Sequence, residues 1–149
     1  MIKGAHHVAI SVTNLERAIA FYTETMDMNI LASTFPINGP LLEEVTALPD
    51  LDGRMCVVGK GTLIMELFEF KKPQPATKDP NYPLCDRGIT HFGIEVTDID
   101  AMYLRLTKAG VKFQSPVRTF PSGVKATYGR DPDGNVFELL EMPTSVQRA

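Results

Sequence analysis

Residues 5–12 alternate between apolar and polar positions, which predicts a half-buried strand. Val8, Ile10 and Val12 fall on one face, and His7, Ala9 and Ser11 on the other. Thr13 and Asn14 then offer a helix cap. Leu15, Ile19, Phe21 and Tyr22 supply an apolar stripe at roughly helical spacing. The pattern returns in the second half of the chain. Residues 90–96 place Phe92, Ile94 and Val96 on one face of a strand, and His91, Gly93 and Glu95 on the other. Thr97 and Asp98 cap a helix striped by Ile99, Met102, Tyr103 and Leu106. His7 aligns with His91, Asn14 with Asp98 and Leu15 with Ile99 at one constant offset, so the chain contains an internal repeat.

Strand material follows each predicted helix, at residues 28–34, 54–59 and 62–70 in the first half. In the second half it lies at 111–113, 126–130 and 136–141, with the turn sequence Asp131-Pro132-Asp133-Gly134-Asn135 before the last strand. Each half thus reads as strand, helix and three strands. The expected class is α+β, one domain over residues 1–149 built from two tandem βαβββ modules at 1–70 and 88–142. Residues 71–87, with Pro73, Pro75, Pro80 and Pro83, read as a linker, and 143–149 as a C-terminal tail. The first half is the longer. Its excess is assigned to a loop at 36–52, which holds Pro36, Gly39, Pro40 and Pro49. A long insertion in a compact domain is more often functional than idle.

Composition narrows the function. The chain has 149 residues, 44% of them apolar and 22% charged, which suits one globular domain that needs no disulfides. Fifteen Lys and Arg against eighteen Asp and Glu leave a net charge of −3, with no basic run. Nucleic acid and anionic membranes are therefore poor candidates as partners. No apolar stretch approaches the ~18 residues of a membrane span, and no apolar leader precedes the first strand, so a cytoplasmic location is expected. Cys56 and Cys85 form no CxxC pair and are expected as free thiols.

Four residues stand out as candidate chemistry: His7 and His91 at the openings of the two first strands, and Glu66 and Glu138 in the two last strands. A carboxylate inside an apolar strand is unfavourable unless it is paired or binds a metal. Any one of the four alone would be read as a solvated or satisfied side chain. Their recurrence in equivalent strands of both units argues otherwise. Two imidazoles and two carboxylates, if they converge, suit zinc, nickel, cobalt, manganese or ferrous iron. By strand parity His6 points away from His7 and is read as a packing or edge residue. Glu69 and Glu141 fall on the face opposite Glu66 and Glu138 and are read as solvated charges.

The sequence resembles the vicinal oxygen chelate superfamily, which includes glyoxalase I, methylmalonyl-CoA epimerase, extradiol dioxygenases and fosfomycin or bleomycin resistance proteins. The resemblance covers nearly the whole chain. It rests on His7-Val8-Ala9-Ile10, the helix start from Asn14 to Tyr22, Met65-Glu66-Leu67, Thr90-His91-Phe92-Gly93-Ile94, and the Asp131 turn leading to Phe137-Glu138-Leu139. It implies two βαβββ modules whose mixed sheets curve into a cup around a metal, with His7, Glu66, His91 and Glu138 as ligands. A full ligand set is similar to the glyoxalase I and epimerase branch. That branch implies isomerisation, epimerisation or lyase chemistry by proton transfer through a metal-stabilised enediolate. Glu138, and after it Glu66, is then the catalytic base. The alternative is an Fe(II) extradiol ring-cleaving dioxygenase using His7, His91 and Glu138. A second alternative is a non-catalytic protein that binds a small molecule.

Homodimerisation is likewise implied by the resemblance, with the metal site formed within one chain or between two. The substrate is read as a small molecule, and Phe68, Phe120, Tyr128 and Arg118 are the candidate pocket residues. An apolar pocket there, with Phe35 and the inserted segment, suits an aromatic or hydrophobic acyl group. Lys71, Lys72, Arg118 and Lys125 are the candidate basic rim for a CoA thioester, with solvated surface charge as the plainer reading of each. Glu43 and Glu44 are weaker candidates for a second base.

Overall fold

The computed structural model describes residues 1–144. It is an α+β structure with two four-stranded mixed sheets and three α-helices among the described residues. The chain divides into two compact units, Met1–Lys78 and the residues from Asp79 onward.

The first unit begins with β1 (Val8–Ser11) and α1 (Leu15–Ala20). Asn14 caps α1, its side-chain oxygen accepting from the Arg17 N–H at 2.8 Å. The helix runs on into a π-helical turn, Phe21–Thr25, closed by the Met26 N–H on the Phe21 carbonyl at 2.9 Å. Next come β2 (Asn29–Asn38), α2 (Pro40–Thr46), β3 (Asp52–Lys60) and β4 (Leu63–Lys72). The sheet order is β1-β4-β3-β2, with β1 parallel to β4 and the other pairs antiparallel. Leu15, Tyr22, Val58, Met65 and Leu67 are fully buried and form the centre of this core.

The second unit repeats the plan with β5 (Phe92–Glu95), α3 (Ile99–Lys108), β6 (Arg118–Thr119), β7 (Lys125–Arg130) and β8 (Val136–Glu141), in sheet order β5-β8-β7-β6. Asp98 caps α3 through the Ala101 N–H at 3.0 Å. Ile99, Leu106, Phe137 and Leu139 are fully buried. The turn before β8 is tied by Asp131, whose carboxylate accepts from the Asp133 N–H (2.9 Å), the Asn135 N–H (2.8 Å) and the Asn135 side-chain amide (2.9 Å).

Two elements differ from the sequence reading. The segment 36–52 is not a loop, because β2 continues to Asn38, α2 follows, and β3 starts at Asp52. Gly39 turns the chain at φ 97° and Pro40 supplies a helical φ at the first helical position, so residues that punctuate a loop here start a helix. Residues 111–113 form no regular strand. Phe113 makes one isolated bridge to Gly129, and the edge strand is β6. Pro116 has no N–H to extend the ladder. Part of the Pro-rich segment also has fixed partners. The Arg130 guanidinium donates to the carbonyls of Tyr82 (2.6 Å) and Gly134 (2.9 Å) and lies over the Tyr82 ring. Of the tail, residues 145–149 lie outside the described residues. No helix among the described residues is long and apolar enough to cross a membrane.

Candidate metal centre

Each sheet carries a His–Glu pair on the face turned away from its helix. Ala9 of β1 aligns with Glu66 of β4, and Gly93 of β5 aligns with Glu138 of β8. The histidine sits two residues before that aligned position in both halves. The resulting distances agree: His7 Nε2 is 3.4 Å from Glu66 Oε2, and His91 Nε2 is 3.4 Å from Glu138 Oε2. All four side chains are part-exposed, between 22% and 37%.

The far side of each ring is engaged. Thr90 Oγ1 lies 2.8 Å from His91 Nδ1, and His6 Nδ1 lies 2.9 Å from His7 Nδ1. A proton on Nδ1 satisfies either contact and leaves the Nε2 lone pair facing the carboxylate, which is the tautomer a metal ligand needs. Of the two readings of His6, packing or edge, its exposure fits the edge one, and its ring turns toward His7 rather than away from it. It is exposed and meets the His7 ring edge-on at 5.2 Å.

The opposite face of each sheet holds an anchoring system that strand parity alone misread as solvated charge. Glu69 Oε2 accepts from the Leu15 N–H at 2.9 Å, and Glu141 Oε2 accepts from the Ile99 N–H at 2.8 Å. Each carboxylate thus binds the open N-terminus of its unit's helix, where backbone donors and the helix dipole favour an anion. Arg54 bridges Glu69 (2.7 Å) to Glu16 (2.6 Å), and at the matching place Lys125 holds Asp100 at 2.7 Å. The pairing to Arg54, first through its hydrogen bond, lowers the Glu16 pKa below its usual 4.5. Glu69 and Glu141 follow Glu66 and Glu138 by three residues in both halves, so the repeat itself carried the signal.

The remaining candidates separate. Tyr128 faces Glu138 directly across β7 and β8, and its ring meets the His91 ring edge-on at 5.0 Å. Burial, then the Glu138 charge and a hydrogen bond to that carboxylate, push the Tyr128 hydroxyl above its usual pKa of 10.0. Phe68 shares the Glu66 face of β4 and stacks on Phe70 at 5.5 Å. Arg118 is exposed on β6 opposite Ala126, one row along the sheet from Tyr128. Phe120 is half-exposed in the turn before β7. Glu43 is occupied, its carboxylate accepting from the Leu51 N–H at 3.2 Å, and Lys125 is committed to Asp100. Among the described residues, no group of three or more His, Cys, Asp and Glu is arranged to hold a cation. Each pair by itself offers two donors.

A family model described as the Glyoxalase/Bleomycin resistance protein/Dioxygenase superfamily matches residues 4–139. The chain belongs to that superfamily. The 2-epi-5-epi-valiolone epimerase of an Actinomyces species is 31% identical over 94% of this chain and 80% of its own length. The metallothiol transferase FosB of Shouchella clausii (strain KSM-K16) is 29% identical, over 93% and 80%. A glyoxalase family protein of Bacillus cereus has a solved structure that overlays with a TM-score of 0.84, at 25% identity and 95% coverage of both chains. Superfamily members typically use a divalent metal. The pairs described above fit such an ion. Two donor atoms each ~2.1 Å from one ion lie about 3.4 Å apart at a tetrahedral angle, and that is the His–Glu separation in both halves. Imidazole with carboxylate is also a usual donor set for first-row divalent ions.

Proposed function

We propose that this superfamily member is a divalent-metal-dependent isomerase, epimerase or lyase acting at a carbon beside a carbonyl. The observation that carries the reading is the same His–Glu pair, at 3.4 Å and with the imidazole Nδ1 already engaged, in both halves. His7, Glu66, His91 and Glu138 would hold the ion, drawn from one chain or from two copies in a homodimer. The ion, zinc, nickel, cobalt, manganese or iron, would supply a Lewis acid for negative charge on the carbonyl oxygen. The chain's own residues do the rest. His7 and His91 are oriented through the contacts of Nδ1 with His6 and Thr90. One of the two glutamates takes the proton from the carbon and returns it, either to the opposite face or to a neighbouring atom, so no proton is consumed. Inversion at a carbon is the step named for the Actinomyces relative.

The substrate is read as a small molecule with vicinal oxygens and an apolar part. On the Glu66 face, Phe68, Met55 and Phe35 form one cross-strand row beside the row holding Glu66. Beyond it, Phe70 lines a small pocket with Leu48, Pro73, Gln74 and Pro75. Arg118 and Phe120 are the pocket candidates of the second unit.

The test is proton exchange. Protein loaded with each metal is incubated in deuterated water with hemithioacetals, 2-substituted acyl thioesters and keto sugars, and label is followed by NMR. Label at the carbon beside the carbonyl, abolished by chelation and restored by metal, is the expected result. Exchange that survives chelation would contradict the reading. The contact of Tyr128 with His91 and Glu138 favours ring cleavage as a second reading, since an acid beside the ligands is what an Fe(II) dioxygenase needs. Oxygen consumption with catechols and iron would select it.

A further inference from the structure

The inserted segment of the first unit builds one wall of a cleft, and its helix α2 has no counterpart in the second unit among the described residues. After α2 the chain turns through left-handed backbone at Ala47 (φ 55°) and again at Asp50 (φ 53°). A residue with a Cβ persists in that region only where its surroundings hold it there. Here the Glu43 carboxylate accepts from the Leu51 N–H at 3.2 Å, and Leu51 is buried. The turn so fixed carries Leu48, half-buried, to the end of β4. Leu48, Phe70, Pro73, Gln74 and Pro75 line a cleft of about 180 Å³. Pro73 and Pro75 have a fixed φ, which stiffens their side of it. None of these lining residues is charged.

We propose that this cleft is the subsite for the apolar end of the substrate: one uncharged aromatic ring, or a branched alkyl group of that size, at the end of an extended molecule. Size and lining carry the assignment. An apolar cavity of ~150 Å³ lined by Leu, Ile and Phe takes up benzene. Drug-sized ligands need ~300–1,000 Å³. The cleft therefore suits a single ring and is too small for a nucleotide or a peptide. With no charged residue in its lining, it offers a carboxylate or a phosphate no counter-ion. Position carries the rest. The Phe70 ring stacks on Phe68 at 5.5 Å, and both lie on the Glu66 face of β4. Four residues of strand separate Glu66 from Phe70, which is ~13 Å. A molecule with its oxygens at Glu66 reaches the cleft only if it is extended, which selects against short keto acids. The word substrate rests on the metal-dependent reading above, whereas binding in the cleft does not depend on it.

The experiment begins with a fluorobenzene titration of the metal-free, full-length protein, followed by fluorine NMR. Wild type is compared with Leu48→Ser and Pro75→Asp, and urea midpoints confirm that each variant is folded. Saturable binding is expected in the wild type, weakened about tenfold by either substitution, since each removes apolar contact from one wall. Pro75 is exposed, so Pro75→Asp decides alone if Leu48→Ser does not fold. 1-Fluoronaphthalene, a larger ring system, should bind more weakly than fluorobenzene. Absent binding, binding that both variants retain, or tighter binding of the larger ring would overturn the subsite and leave the metal reading untouched. The second readout is the label exchange described above, run on acyl thioesters that end in a methyl or a phenyl group. The phenyl-ended compounds should show a KM about tenfold lower, and Pro75→Asp should erase that difference with little change in kcat. A cleft that binds fluorobenzene while the two series exchange alike would overturn its assignment to the substrate. No exchange with any metal would instead overturn the metal-dependent reading, with the fluorobenzene titration still deciding the cleft.

Discussion

The two units are built on one plan and differ at a few defined points. In each, a parallel strand pair sets a histidine beside a glutamate at 3.4 Å. In each, a second glutamate three residues on reaches through to the first N–H of the helix. A basic residue opposite that second glutamate, Arg54 or Lys125, then clips the helix's first-turn carboxylate, Glu16 or Asp100. The last strand of each sheet is therefore two-sided. One face holds the helix in place and the other presents the candidate ligand. The differences lie elsewhere: Val57 against Tyr128 beside the carboxylate, His6 against Thr90 behind the imidazole, and α2 in the first unit only. What repeats is the frame and the donor set. What varies lies around the candidate donors.

The largest test of this equivalence is in the cores. Leu67 and Leu139 occupy matching positions on β4 and β8 and are both fully buried. Leu67→Ala and Leu139→Ala should each lower stability by about 3 kcal/mol through lost transfer energy and a residual cavity. Urea denaturation measures this, and costs differing by more than ~2 kcal/mol would break the equivalence.

The helix anchors should sharpen the comparison at a smaller scale. Removing a charged hydrogen-bonding partner costs about 1.5–3 kcal/mol. Glu141→Ala should sit near the lower value, because Glu141 accepts the Ile99 N–H alone among the hydrogen bonds described for it. Glu69→Ala should sit near the upper value, because Glu69 also binds Arg54 through Nε and Nη2. Adding Arg54→Ala to Glu69→Ala should then cost less than Arg54→Ala alone. Full additivity would show that Arg54 and Glu69 act independently.

The smallest effect is the pH response of the two clips. The Glu16 carboxyl lies below its usual 4.5, so its contribution is present above that pH and is lost as pH falls through the lower folded value. Its pairing with Asp100 first of all raises the Lys125 pKa above its usual 10.5, so that contribution is present below 10.5 and lost as pH rises through the higher folded value. Arg54 stays charged throughout. Stability measured from acid to alkali should lose part of its acid limb in Glu16→Gln and part of its alkaline limb in Lys125→Met. Unchanged limbs would mean both clips are fully screened by solvent.

Most of the frame was legible from period and repetition. Alternating strands opening on His7 and His91, capped helices at Asn14 and Asp98, and carboxylates inside the last strands were each visible twice. Single-copy features were harder to read. α2 was hidden because Gly39 and Pro40 mark loops and helix starts alike. Residues 111–113 have strand-like composition, but Pro116 stops the ladder. Parity places Glu69 and Glu141 on the correct face but gives a direction and not a partner, so their helix N–H contacts do not show in the pattern. The facing of Tyr128 with Glu138 was beyond the reach of pattern. Register across β3 and β4 depends on the two-residue turn between Lys60 and Leu63, and across β7 and β8 on the longer Asp131 turn. Those turns set Val57 against one glutamate and Tyr128 against the other.

The measurement that bears most directly on the metal assignment is anomalous diffraction at the absorption edges of first-row metals, on crystals of protein purified without added metal. The account predicts one divalent ion bound by His7, Glu66, His91 and Glu138, contributed by one chain or by two. Iron bound by His7, His91 and Glu138 with Glu66 withdrawn, or a site that stays empty after soaking in metal, would contradict it.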